Sequence, residues 1–337
     1  EEQGTCRMAL PPGGEGKWTL ASPASAHEGE LLKLWFRGKD GRVIATHGVR
    51  LGHAPAPDVP LPAAGCPEWR EDAATVAVSG DGFSLTLDKA SLAISGDTAL
   101  AAFPTPFLTR LEEKNVFNPV GAPYTEFPDR ATRTVKKITV APGAEALTIA
   151  VAESYAGLDG VMELRLDTHG QCQAVFDYVR SGKAFSAGEA GICFLLRGDC
   201  DTISWKRNAE WDVLPEDHIG RAEGRASAHA GNGVCDPSVR PTGPWPLDEN
   251  EFGTRDFRAA KYNILEAMVC AKDGKGMCVN ADGMVDVRAC LAGDRVAMHV
   301  LQSEARNEKT LPWPLGPAPR KIAPGAHLAG AFSVRLK

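Results

Sequence analysis

Thr75-Val76-Ala77-Val78-Ser79-Gly80-Asp81-Gly82-Phe83-Ser84-Leu85-Thr86-Leu87-Asp88 is the stretch that decides the fold class. Apolar residues recur at alternate positions on both sides of Gly80-Asp81-Gly82. Period two marks a half-buried strand, and the glycines mark a turn between two of them. The same alternation returns in Ala146–Val151, Val161–Leu166, Ala174–Val179, Ile192–Leu196, Val285–Cys290, Arg295–Val300 and Phe332–Leu336. With 35 Gly and 24 Pro as punctuation, and no amphipathic run long enough for a sizeable helix, the pattern predicts an all-β protein of packed antiparallel sheets. No repeat of solenoid or propeller type is present.

Upstream of this stretch, residues 17–51 read as two or three strands. Lys17–Leu20 is short and alternating. Leu31–Arg37 is β-rich, and Lys39-Asp40-Gly41-Arg42 supplies a turn into Val43-Ile44-Ala45. A hairpin of this size needs a larger partner. Gly52–Pro62 is proline-rich and reads as a semi-rigid linker. The expected organisation is therefore a partial immunoglobulin-like sandwich over 1–52, a linker over 53–72 and a large β-sandwich over 73–337. Residues 103–134 read as long irregular connections, of a kind that often carry function.

At 337 residues, 43% of them hydrophobic, the chain is long enough for a sizeable core. A net charge of −6 argues against a broad nucleic-acid surface. No apolar run is long enough to span a bilayer as a helix, and no basic amphipathic run suits a membrane surface. The first residues, Glu1-Glu2-Gln3-Gly4, lack a starting Met and the features of a signal peptide, so the chain reads as a piece of something longer. A bacterial periplasmic or secreted setting is expected ahead of a cytoplasmic one. The nine Cys never fall as Cys-x-x-Cys, so buried hydrophobes are expected in place of a metal or redox site. Cys193 with Cys200, or Cys270 with Cys278, remain candidates for a bridge. No metal and no cofactor is expected.

Two landmarks carry a resemblance. One is Ile203-Ser204-Trp205, following Ala187–Ile192 and followed by Trp211 through Arg221. The other is Glu251-Phe252-Gly253-Thr254-Arg255-Asp256-Phe257-Arg258, followed by Lys272–Val279. In order and spacing these resemble the C-terminal domain of family 2 β-galactosidases, an antiparallel supersandwich similar to galactose mutarotases. The resemblance covers roughly 73–337, and more weakly 17–51. It implies a carbohydrate partner of galactoside type, and a catalytic barrel elsewhere in the polypeptide. Retaining hydrolysis needs two carboxylates about 5 Å apart, which that barrel supplies and this chain does not match. Two departures stand out. Pro215–Arg221 replaces the family's Gly-Pro-x-Glu-x-Tyr-x-Asp-Arg run, and no Trp occurs in 277–291, where the best-known members lend one to galactose.

Six residues are candidate carbohydrate contacts: Trp245, His218, Arg221, Arg255, Asp256 and Arg258. Trp245 lies in the loop Gly243-Pro244-Trp245-Pro246, where its ring could stack on a sugar. Trp205, at a strand end, reads as core. Asp217, His218 and Arg221 could form an acid–base group, though a salt-bridged turn is the plainer account. Arg255, Asp256 and Arg258 could grip hydroxyls, but Arg255 and Arg258 fall on opposite faces of a regular strand. No residue is assigned a catalytic role. The expected function is a structural, carbohydrate-facing region that shapes a cleft or holds subunits of a homo-oligomer together. The alternatives are a stand-alone aldose-1-epimerase-like enzyme, with a His facing a carboxylate across a concave sheet, and a free carbohydrate-binding module.

Overall fold

The computed structural model describes residues 4–7, 11, 13–17, 19, 30–51, 58–111, 125–209, 220–228, 257–302 and 320–337. Within them the chain is all-β and antiparallel. In chain order the strands open with β1 (Leu31–Arg37) and β2 (Val43–Arg50), then β3 (Glu68–Glu71), β4 (Thr75–Gly80), β5 (Phe83–Asp88) and β6 (Ile94–Ser95). Next come β7 (Thr105–Leu111), β8 (Thr125–Phe127), β9 (Thr134–Pro142), β10 (Leu147–Tyr155), β11 (Leu158–Leu166), β12 (Gln171–Arg180) and β13 (Phe185–Arg197). The last are β14 (Thr202–Arg207), β15 (Glu223–Ser227), β16 (Ile264–Cys270), β17 (Gly276–Asn280), β18 (Val285–Ala292), β19 (Arg295–Gln302), β20 (Arg320–Ile322) and β21 (His327–Leu336).

Two large sheets make the sandwich. One runs β15-β14-β16-β17-β21-β12-β11-β10-β9; the other runs β18-β19-β13-β7-β8, with β20 also on β13. Strands β3 to β6 form a third, smaller sheet. One apolar core joins all three. It takes Val76, Leu85 and Leu87 from the small sheet, Ile149, Val151, Phe176 and Val334 from the nine-stranded sheet, and Ile192, Phe194, Met298 and Val300 from the other. These are the alternating positions of the sequence, so period two is realised as a buried face.

The β1–β2 hairpin forms as expected, closed where the Asp40 carboxylate accepts the Arg42 N–H at 3.1 Å. Lys17 and Thr19 lie outside any strand, while Trp18 and Leu20 fall outside the described residues. Lys33 pairs with Glu223 and so ties the hairpin to β15. The later part of the proline-rich stretch is fixed against the nine-stranded sheet. The Pro60 carbonyl accepts from Gln171 at 3.1 Å and Ser333 at 2.5 Å, and Asp167 accepts from the N–H groups of Ala63 and Ala64. β3 also begins inside 53–72, because Glu68–Glu71 finds β4 as a partner.

The expectation of irregular chain over 103–134 needs correction. Thr105–Leu111 is a full strand, Thr125–Phe127 a short one, and Arg130–Thr132 a single 3-10 turn; 112–124 lies outside the described residues. Two prolines disguised β7. Pro106 lies opposite Ile192 on β13, whereas β8 pairs only with Leu108–Arg110. The missing N–H therefore falls beyond the end of β8, where no ladder bond is lost. The disulfide candidates are corrected as well: Cys193, Cys200, Cys270 and Cys278 form no disulfide. Cys200 sits in the main core and Cys193 in a separate cluster, so they cannot meet. Cys278 lies opposite Met268 and Cys270 opposite Gly276, which leaves that pair offset along its ladder.

Candidate functional site

The six-stranded sheet has a second face, turned away from the main core. Register places Thr105, Cys193, His299 and Arg288 in one row across β7, β13, β19 and β18. The next row along holds Phe107, Gly191, Leu301 and Asp286. Successive side chains alternate, so these residues, with Thr109 and Cys290, share one face. A polar second face is ordinarily solvated. This one is buried: Arg288 is 1% exposed, His299 0%, Phe107 1% and Thr109 1%.

The chemistry of the face centres on Arg288. Its Nη2 donates to Glu189 Oε2 at 3.1 Å, and its guanidinium carbon lies 5.4 Å from the Phe107 ring centroid. Phe107 in turn packs its ring 4.1 Å from that of His299. Burial is the largest single influence and opposes the charge on Arg288, but the groups around it, Glu189 first and then Cys290, Glu126 and Cys193, together outweigh burial and hold it above its ordinary pKa. Among the described residues, Arg288 Nε and Nη1 and the hydroxyls of Thr105 and Thr109 have no hydrogen-bond partner. Each such buried group costs about 1–3 kcal/mol. The Glu189 side chain, 26% exposed, marks where the face opens. Gly191 lets β13 lie close to β19, since a Cβ would come within 2.1 Å of the Val300 carbonyl oxygen.

Arg130 closes one side. Its Nη2 donates to the Cys193 sulfur at 3.1 Å and lies 3.7 Å from Glu126. The charge of a Cys193 thiolate would raise the Arg130 pKa most, but burial pushes the thiol itself up to about 11. At neutral pH the contact is therefore N–H to thiol. The turn that presents Arg130 is capped by Asp129, whose carboxylate accepts the Ala131 N–H at 2.9 Å. From the same turn Arg133 reaches between the sheets. It donates to Glu153 at 2.6 Å and to the carbonyls of Phe103 at 3.4 Å and Pro104 at 3.2 Å. Glu153, fully buried, also accepts from Tyr155 at 2.9 Å and Tyr178 at 2.6 Å. That group is fully bonded and secures the start of β7.

Of the six sequence candidates, Trp245, His218, Arg255 and Asp256 lie outside the described residues. Arg221 is half-buried and works on the backbone. Its Nε donates to the Glu223 carbonyl at 2.8 Å, and its own carbonyl accepts from Trp205 and Arg207. Arg258 is half-buried beside the buried Phe257. Trp205 is core, 3% exposed, with Lys261 Nζ 5.2 Å from its ring. Sequence reasoning missed the second face altogether. The signal was present in Val285-Asp286-Val287-Arg288-Ala289-Cys290 and in His299, polar at alternate positions of adjacent strands.

Fold and site together define an all-β antiparallel sandwich with a buried polar face on its smaller large sheet. No family model and no curated protein matches the chain. Among solved structures it is similar to a putative aldose 1-epimerase from Escherichia coli K12, at 11% identity over 77% of this chain and 98% of that one, TM-score 0.38. It is also similar to an α-mannosidase from Enterococcus faecalis V583, at 10% identity over 91% of this chain and 36% of that one, TM-score 0.39. A galactose mutarotase related enzyme from Lactobacillus acidophilus matches at 9% identity over 80% and 97%, TM-score 0.35.

Proposed function

We propose that this chain is the carbohydrate-facing region of a β-galactosidase-like glycoside hydrolase, binding sugar on the second face of the six-stranded sheet and performing no hydrolysis by itself. One observation carries the reading. Among the described residues, Arg288 Nε and Nη1, Thr105 Oγ1 and Thr109 Oγ1 are buried without a hydrogen-bond partner, with Arg288 over the ring of Phe107, the residue between the two threonines in the row of β7. A polyhydroxylated ligand supplies acceptors to the guanidinium and both donors and acceptors to the hydroxyls. The two carboxylates on the face are already engaged, Glu189 by Arg288 and Asp286 by the Asn263 N–H at 3.0 Å. That suits binding better than hydrolysis, which needs a free acid and a free nucleophile. The test is an assay of the 337-residue chain on aryl β-galactosides, where no turnover is expected. Robust turnover abolished by replacing a carboxylate of this chain defeats the non-catalytic part.

A second reading rests on His299, which shares the face with Glu189. An aldose-1-epimerase needs a His and a carboxylate on opposite sides of the anomeric centre. Polarimetry on freshly dissolved galactose decides it: acceleration above buffer that is lost in His299→Gln supports the epimerase, and no acceleration removes it.

A further inference from the structure

Near the ends of β7 and β12 and the start of β13, Arg110 and Arg180 both lie against the Phe185 ring, at 5.8 and 5.4 Å from its centroid. Arg180 also lies 5.0 Å from the ring of Phe127, and the two rings are 5.0 Å apart. This cluster is separate from the second face, because Arg110 follows Thr109 on β7 and points the other way.

Arg180 is 9% exposed and held in a built socket. Nη2 donates to the Lys183 carbonyl at 2.9 Å and Nη1 to that of Gly157. A Cβ at Gly157 would stand 2.1 Å from Nη1, so only glycine leaves room for the guanidinium. Nε is buried without a partner among the described residues. Burial, with Arg110 adding to it, lowers the Arg180 pKa. Buried charges are ordinarily matched by an opposite one. Here two guanidinium groups lie against one ring, close enough for Arg110 to act on the charge of Arg180, and among the described residues neither has a carboxylate partner, in a chain whose net charge is −6.

We propose that this cluster binds an oxyanion, a sulfate or carboxylate group, between Arg110 and Arg180. Planar and tetrahedral oxyanions match guanidinium donors, and aromatic walls that exclude water strengthen the attraction. The anion could be free or borne on a glycan.

Thermal unfolding of the intact chain tests this, in sodium sulfate against sodium chloride of equal ionic strength, with galactose 6-sulfate and galactose as further arms. Wild type is expected to gain about 2–4 °C in sulfate beyond its gain in chloride. Arg110→Gln, at an exposed position, is expected to lose that increment, which cancels the general stabilising effect of sulfate. A larger gain in galactose 6-sulfate than in sulfate or galactose identifies a glycan-borne group; equal gains in the two sulfated arms identify the free ion. Equal behaviour of wild type and Arg110→Gln in every arm overturns the proposal.

Discussion

Arg288 on β18 and Glu189 on β13 form an ion pair at 3.1 Å with β19 lying between their strands. The arginine is 1% exposed at its side chain and the glutamate 26%, so the pair is largely withdrawn from water.

Removing one partner of such a pair leaves a buried charge uncompensated. Glu189→Ala is expected to lower stability by about 2–4 kcal/mol, discounted from the fully buried case for the partial exposure of Glu189. Adding Arg288→Met should recover most of the loss. Urea denaturation of the two single variants and the double variant measures the coupling. A loss below about 0.5 kcal/mol in Glu189→Ala would mean that the pair behaves like a surface one.

Thr109 gives a prediction of the opposite sign. Its hydroxyl is buried without a partner among the described residues. Thr109→Val removes the unfilled group at little change in shape, so the free protein is expected to hold its stability or gain about 1 kcal/mol. Denaturant midpoints at constant m-value check it. A marked loss would show that the hydroxyl is bonded.

Tyr178 and Tyr155 both donate to one Glu153 oxygen, at 2.6 and 2.9 Å. Each Tyr→Phe change deletes a bond to a buried carboxylate and should cost about 1.5–3 kcal/mol. The two changes share an acceptor, so their costs should not add. Strict additivity would contradict a single bonded group.

Alkaline pH should unfold this protein early. Burial pushes Cys172 and Cys200 up to about 12, and Cys193 and Cys278 up to about 11. An unfolded cysteine loses its proton near about 8.5. Below that pH both states keep the proton and the contribution is whole. Above it the unfolded chain ionises first, so stability falls as pH rises toward the folded values. Denaturation series from pH 7 to 11 should show that decline, and Cys172→Ala with Cys193→Ala should flatten it. A decline of unchanged slope in the double variant would locate it elsewhere.

The all-β fold was legible because its strands bury one face, and burial writes period two into the sequence. Thr75–Asp88 shows this most plainly, becoming β4 and β5. β7 was hidden by Pro104 and Pro106, which signal loops unless the extent of the neighbouring strand is known. The second face was hidden for another reason. Asp286, Arg288 and His299 occupy the alternate positions that sequence logic assigns to solvent, and only the three-dimensional packing shows them buried. Pairing Glu189 with Arg288 joins residues 99 apart in the chain, a relationship no local pattern records. Trp205, which its strand-end position already marked as core, is buried there.

The central claim is that the second face takes carbohydrate. A glycan array probed with the intact chain, beside Thr109→Val and Arg288→Met with Glu189→Leu, tests it most directly. Binding by wild type to galactoside-bearing glycans, lost in both folded variants, is the predicted result. Silence across the array, or binding that both variants retain in full, would contradict it.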